Sequence, residues 1–484
     1  MGIKDLKPQL IWSYFDEITR VPRPSKKEEK IRAYLLDFAK KHNLTVRTDA
    51  TGNVLICKSA TPGCEDRPGV ILQSHMDMVC EKNAGVEHDF DKDPIDAYID
   101  GEWVKARGTT LGADNGIGMA AALAVLASDD LVHPSLEALF TVDEETGLTG
   151  AFGMEEGFIS GKYLLNLDSE DEAEIFIGCA GGIDTTSTFT YTTYPFPAGY
   201  VALRISVSKL QGGHSGSDIN EGRGNANKIL ARFLCQCIGK YDMQLCAIDG
   251  GNLRNAIPRE AWALVAVPAD CKEAMRVDLN IYQSVIESEL AAADPAVEIT
   301  LASCDAPSEC IDKATAVALL RSLYACPHGV IGMSRDIPGL VETSTNLASV
   351  KMKGNTIVVA TSQRSSVESL KKDIAGQIEN LFALAGAVPT HGDGYPGWKP
   401  NLKSPLLDVA VKAYEELYDV TPAVKAIHAG LECGLFLEKN PGLHMISFGP
   451  TLRGVHSPDE KMHIPAVEKF WDHLTLILKK LAGH

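Results

Sequence analysis

Gly69-Val70-Ile71-Leu72-Gln73-Ser74-His75-Met76-Asp77 begins as a nearly continuous apolar run and ends on a histidine and an acid. Such a run suits a strand buried on both faces of a sheet. Leu136–Val142 and Tyr163–Leu167 repeat the pattern, and each is followed by acids. Ile117–Ala127 lies between them and is almost entirely small and apolar, which predicts a helix buried against the same sheet. Strands alternating with buried helices define an α/β layer fold. Upstream, residues 11–42 read as two amphipathic helices around the turn Val21-Pro22-Arg23-Pro24-Ser25. Ser25 and Glu28 have the spacing of a capping box for the second helix. Val46–Ala50 and Asn53–Cys57 predict a hairpin across Thr51-Gly52.

The pattern changes after Cys179-Ala180-Gly181-Gly182. Ile183–Tyr194 and Tyr200–Ser208 alternate like half-exposed strands. Helical stretches follow at Asn225–Gly239, Ala274–Ala292, Ala314–Tyr324 and Ser366–Leu384, with a hairpin expected at Ser344–Met352 and Asn355–Ser362. This block reads as α+β. A polar Gly/Pro-rich stretch, Pro389–Pro405, precedes a return of α/β character up to a terminal helix at Pro465–Leu481. The expected organisation is a first catalytic segment at 1–183, an insert at 184–390 and a second catalytic segment at 391–484. At 484 residues and 45% apolar content, two cores are the default.

The formal net charge of -18 argues against a nucleic-acid partner. No apolar run is long enough to span a membrane, and Lys4, Asp5 and Lys7 interrupt the start where a signal peptide would need an apolar core. Twelve scattered cysteines suit reduced thiols in a cytoplasmic protein, and Cys235 and Cys237 read as structural.

The chemistry-bearing residues gather at the ends of the apolar runs, where open sheets place ligands. In His75-Met76-Asp77 the acid can hold one imidazole nitrogen while the other binds metal; alone, the pair reads equally as a satisfied core histidine. Asp114 stands among Gly112, Gly116 and Gly118 and could be a helix cap or a bridging carboxylate. Asp143-Glu144-Glu145 sets three like charges side by side, which raises pKa values unless a cation or solvent relieves them. On an extended segment, neighbouring glutamates would point opposite ways, one to metal and one to water. Asp168 ends another run, and His456 lies in Gly454–Glu460 beside further acids. Hard and borderline donors without clustered cysteine favour zinc, cobalt or manganese.

These stretches together resemble the M20 metallopeptidases. The likeness runs essentially end to end, through SHMDMV, DGEWVKARGTTLGADNGIGMA, TVDEETGLTGAFG, NLDSE, GCAGGID, GGHSG, LRNAIPRE, GDGYPGW, HAGLECGLF and HSPDE. The resemblance implies a zinc-peptidase-like mixed-sheet catalytic domain with an inserted α+β lid. It implies two divalent ions, zinc foremost, with His75, Asp114 and Asp168 on one and Asp114, Glu145 and His456 on the other. Glu144 takes the place of the general base, Asp77 of the partner of His75, and His214 of a lid histidine that stabilises an oxyanion. Arg364 takes the place of a lid arginine for the substrate carboxylate, and Asn255 of a further donor to substrate. A free amine needs an acid, for which Glu432 is the candidate ahead of Asp393 and Tyr395. The implied reaction is hydrolysis of dipeptides, Xaa-His dipeptides included. A tripeptide aminopeptidase or an N-acyl amino acid amidohydrolase would use the same metal set. Small peptides are the expected partners, with no membrane or nucleic acid, and a homodimer is compatible.

Overall fold

The structure is a computed structural model that describes residues 2–483. Met1 and His484, the outer ends of the expected catalytic segments, lie outside the described residues. The chain forms two compact units. One holds the chain up to Gly178, Pro400–Ala426 and Leu431 onward; the other holds Cys179–Lys399 and Ile427–Gly430.

The first unit is built on an eight-stranded sheet. Its order is Thr45–Thr48, Val54–Lys58, Leu136–Thr141, Val70–His75, Tyr163–Asn166, His444–Ser447, Glu174–Cys179 and Ala423–Ile427. The four strands from Leu136–Thr141 to His444–Ser447 run parallel, while the hairpin on the outer side is antiparallel, so the sheet is mixed. All residues of Val70–His75 and Leu136–Thr141 are buried, which accounts for their unbroken apolar runs. The helix Ala113–Ala127 packs on Val70–His75. Because the central strands are parallel, the segments after His75, Thr141 and Asn166 emerge at one edge. A small four-stranded sheet in the same unit orders Leu452–Arg453, Lys461–His463, Trp103–Ala106 and Ala97–Asp100. It joins the hairpin loop of His456 to the strand that leads into the Asp114 loop.

The expected capping box does not form. The second helix, Glu29–Lys41, has no side-chain cap. Ser25 Oγ donates instead to Asp77 Oδ2 at 2.7 Å, and Glu28 Oε1 accepts from the amides of Lys26 and Asp143 at 2.7 and 3.0 Å. A buried carboxylate outcompetes the local cap for the serine hydroxyl.

The second unit carries a nine-stranded antiparallel sheet opened by Gly181–Thr190, three residues before the expected start of the insert. Leu203, Ile205 and Val207 enter its core together with residues of the helices Ala226–Lys240, Lys272–Glu289, Lys313–Ala325 and Glu368–Leu384. On the opposite face of the same strand, Arg204 stacks 4.2 Å from the Trp262 ring. The expected single strand Ile183–Tyr194 is split. Thr193–Pro195 leaves the large sheet to pair with Glu309–Ile311.

Candidate active site

In the first unit the strand ends deliver His75, Asp77, Glu144, Glu145 and Asp168 to one place, and two loops add Asp114 and His456. The Asp114 carboxylate faces two imidazoles, with Oδ1 3.0 Å from His75 Nε2 and Oδ2 3.1 Å from His456 Nε2. Asp168 Oδ1 lies 3.5 Å from His75 Nε2, and Glu145 Oε2 lies 3.0 Å from His456 Nε2. Asp114 has extended backbone (φ -80°, ψ 112°) inside the first turn of its helix, which turns the carboxylate out of the helical path. Gly112 has φ +68°, and a Cβ there would stand 2.6 Å from Arg23 Nη2. Gly118 lets the helix approach the Asp168 segment, since a Cβ would come within 2.6 Å of the Leu167 carbonyl.

Asp77 is fully buried and serves two elements. Its Oδ1 stands 3.3 Å from His75 Nδ1 and accepts the Glu144 amide at 3.0 Å; Oδ2 accepts the Glu145 amide at 3.2 Å. These contacts hold its pKa down at about 2 despite the opposing effect of burial. Glu144–Gly147 is a single helical turn and not the extended segment on which neighbouring glutamates would point opposite ways; Asp143 supports the turn by accepting from the hydroxyls of Thr146 and Thr149. Burial, reinforced by Asp168, Glu432 and Glu145 and opposed by His75, holds Glu144 well above the ordinary carboxylate range. Burial likewise raises Asp168 to about 6, with Asp114 and Glu145 adding to the rise. In His456, hydrogen bonds to Asp114 and Glu145 raise the pKa to about 11.

Glu432 lies beneath this site, 1% exposed. Its Oε2 accepts from Gln73 Nε2 at 2.6 Å and Thr141 Oγ1 at 2.8 Å, while Oε1 is buried without a hydrogen-bond partner. Burial raises its pKa to about 8.

His214, Asn255 and Arg364 belong to the second unit. His214 sits in the two-residue strand Gly213–His214, paired with Ala256–Ile257. The amides of Gly216 and Ser217 both donate to its Nδ1 at 3.2 Å. With Nδ1 accepting, a neutral ring carries its hydrogen on Nε2. Burial and the nearby Arg364 charge lower the His214 pKa, favouring that neutral form. Arg364 lies within the strand Thr356–Ser365; its Nη1 donates to Tyr395 Oη at 2.8 Å, and its buried Nε has no partner. Asn255 is an exposed turn residue whose carbonyl accepts the Ser215 amide at 2.8 Å.

Sequence reasoning passed over His428, Arg23 and Glu460. His428 is buried in the second unit, where its Nε2 lies 2.7 Å from Ser344 Oγ. Burial and the Arg364 charge push its pKa down to about 3. Its only signal was a histidine ahead of the glycine turns in HAGLECG.

Two donors on one divalent ion at ~2.0–2.1 Å stand roughly 3–3.5 Å apart, which is the spacing found here between imidazole nitrogens and carboxylate oxygens. Ligand atoms of His75, Asp114 and Glu145 lie within 4.8 Å of one another, and Glu145 Oε1 is buried with no hydrogen-bond partner. The donor set therefore fits a pair of divalent cations, with Asp114 able to reach both.

Parallel strands that deliver such donors beside a buried glutamate suit metal-assisted hydrolysis. Residues 71–480 match the profile of peptidase family M20/M25/M40, and the chain belongs to that family. The cytosol non-specific dipeptidase of Escherichia coli (strain K12) is 45% identical to it over 484 residues, 99% of each chain. The crystal structure of aminoacylhistidine dipeptidase from Vibrio alginolyticus matches with a TM-score of 0.94 at 44% identity, covering 99% of this chain and 98% of that one. A tripeptidase from Staphylococcus aureus, at 14% identity and a TM-score of 0.58, shares the fold; the match covers 99% of this chain and 100% of that one.

Proposed function

We propose that the chain is a metal-dependent dipeptidase that hydrolyses Xaa-His and other dipeptides. The observation that carries this reading is the Asp114 carboxylate, set between His75 and His456 at 3.0 and 3.1 Å in a chain near-collinear with two named dipeptidases. His75, Asp114 and Asp168 would hold one cation, and Asp114, Glu145 and His456 would hold the other. When bound, such a pair supplies Lewis acidity and makes water a better nucleophile at neutral pH. Zinc suits the imidazole and carboxylate donors best, and cobalt or manganese could replace it.

Glu144 takes a proton from the attacking water and later gives it to the leaving amine, its turn held in place by the Asp77 carboxylate on its amide. Asp77 keeps His75 oriented and fixes the turn that carries Glu144 and Glu145. The second unit acts as the lid. His214 offers Nε2–H to the developing oxyanion. Arg364, braced by Tyr395, takes the substrate carboxylate, and Asn255 adds a donor. Glu432 answers the substrate ammonium: burial raises its pKa, its Oε1 has no hydrogen-bond partner, and an incoming cation would favour its ionised form. Twelve free cysteines suit a cytoplasmic enzyme.

The test compares Ala-His and Gly-Gly with a tripeptide and an N-acetyl amino acid, before and after chelation. Dipeptides should be turned over best, and chelation should abolish it. A higher kcat/KM for the tripeptide or the acylated substrate would overturn the reading.

A further inference from the structure

The carboxylate that faces both imidazoles sits at the end of Leu111–Asp114, a segment with no strand pairing of its own. Glu460 provides its amide partners. This side chain is 2% exposed. Its Oε2 accepts the amides of Leu111 and Gly112 at 2.7 and 2.9 Å, and its Oε1 accepts those of Ala113 and Asp114 at 2.8 and 3.3 Å. Four successive main-chain donors thus converge on one carboxylate. Arg23, also 2% exposed, grips the carbonyl side. Its Nη2 donates to the Gly112 carbonyl, and its Nη1 donates to the carbonyls of Met76 and Asp77 at 3.2 and 2.6 Å. The carboxylate thus takes the loop's amides while the guanidinium takes a carbonyl of the same loop.

Each grip also ties Asp114 to another candidate ligand. Glu460 follows His456 by four residues in the same hairpin loop. Arg23 holds the two residues that directly follow His75. We infer that Glu460 and Arg23 are positioning residues. Together they lock the loops of His75, Asp114 and His456 into register, so that the shared carboxylate is set before any cation arrives. The inference rests on the reading of Asp114 as the ligand common to two ions. A carboxylate is needed because an amide has one acceptor oxygen, and its NH2 group would face two of the four donors. A guanidinium is needed because one ammonium cannot reach carbonyls on two separate segments with the same fork.

Amide hydrogen exchange on metal-stripped wild-type protein is the first measurement. The amides of residues 111–114 should exchange at least ~100-fold more slowly than in an unstructured peptide, as a closed loop requires. Free exchange without metal would overturn the proposal, and this arm needs no variant to fold. The second measurement is zinc affinity, with the cobalt-substituted absorption spectrum, for Glu460→Gln and Arg23→Lys. Both should bind zinc roughly 10–100-fold more weakly, as loss of an outer support does, with an altered cobalt spectrum. Glu137→Gln is the control. Glu137 is another buried glutamate of this unit, accepting the amides of Ser160 and Gly161 at 2.9 and 3.0 Å away from the candidate ligands. It should lower thermal stability and leave zinc affinity unchanged. Wild-type affinity in Glu460→Gln, or an equal loss in Glu137→Gln, would overturn the clamp. A wild-type chain that takes up no zinc would sink the underlying reading, and that result precedes any substitution.

Discussion

Glu144 is the side chain on which turnover should depend most directly. Its amide is anchored on Asp77, so replacing the carboxyl leaves the turn in place. Glu144→Gln should cut kcat by ~10²–10⁴-fold, the range for loss of a general base, while elemental analysis still finds the wild-type metal content. Normal turnover would remove Glu144 from the mechanism. Arg364→Ala removes the proposed charge for the substrate carboxylate, a bond in the class contributing ~1.5–3 kcal/mol. It should lower kcat/KM for free dipeptides by roughly 10–100-fold and spare C-terminally amidated ones. An unchanged ratio between the two substrates would refute the carboxylate contact. At this scale, although each alone also reads as a core, turn or solvated residue and its role follows only from the family resemblance, His75, Asp168 and the glutamate pair stand out where a polar side chain closes an apolar run. Arg23 and Glu460 do not, because their partners are main-chain groups. Glu460 meets amides 346 to 349 positions away, and no residue pattern records such a contact.

Among the elements, the parallel strands were legible because burial on both faces forces continuous apolar runs. Short elements were not. The single turn Glu144–Gly147 is too brief for helical periodicity, and an acidic run there looked equally like extended chain. The Ser25–Glu28 spacing suggested a cap, yet the serine reaches across to a strand end 52 residues on. Both misreadings concern Asp77, the carboxylate joining the strand Val70–His75 to the turn after Leu136–Thr141. Asp77→Asn keeps the shape and removes the charge that three donors and an imidazole address. It should weaken zinc binding by ~10–100-fold and lower unfolding stability by ~1–3 kcal/mol, read by competition with a chromogenic chelator and by denaturant titration. If affinity holds while stability falls, Asp77 supports the fold alone.

Across the whole molecule, the turn from continuous to alternating strands near Gly181 marks where one sheet gives way to another, because a sheet with one wet face must alternate. The second unit's other segment was harder to see: Ile427–Gly430 returns to that unit for only a few residues, too short a stretch to carry a pattern. Global acid stability follows from burial that neither pattern reveals. His473 on the terminal helix Ile464–Leu481 is 3% exposed, donates Nε2–H to the Ala410 carbonyl at 2.8 Å and packs edge-on against Tyr414 and Phe448. Burial pushes its pKa down to about 4 from an ordinary 6.5. In the unfolded chain the ring protonates as pH falls below 6.5, whereas in the folded chain it stays neutral until about 4. The unfolded state therefore binds the extra proton, and stability present above pH 6.5 drains away between 6.5 and 4. A depression of this size corresponds to about 3 kcal/mol. His473→Gln keeps a donor for Ala410 and cannot titrate. Denaturant unfolding of metal-stripped protein at pH 7 and at pH 4.5 should show a smaller loss on acidification in the variant than in wild type. Equal losses would mean that the ring is already protonated, or reachable by water, in the folded chain.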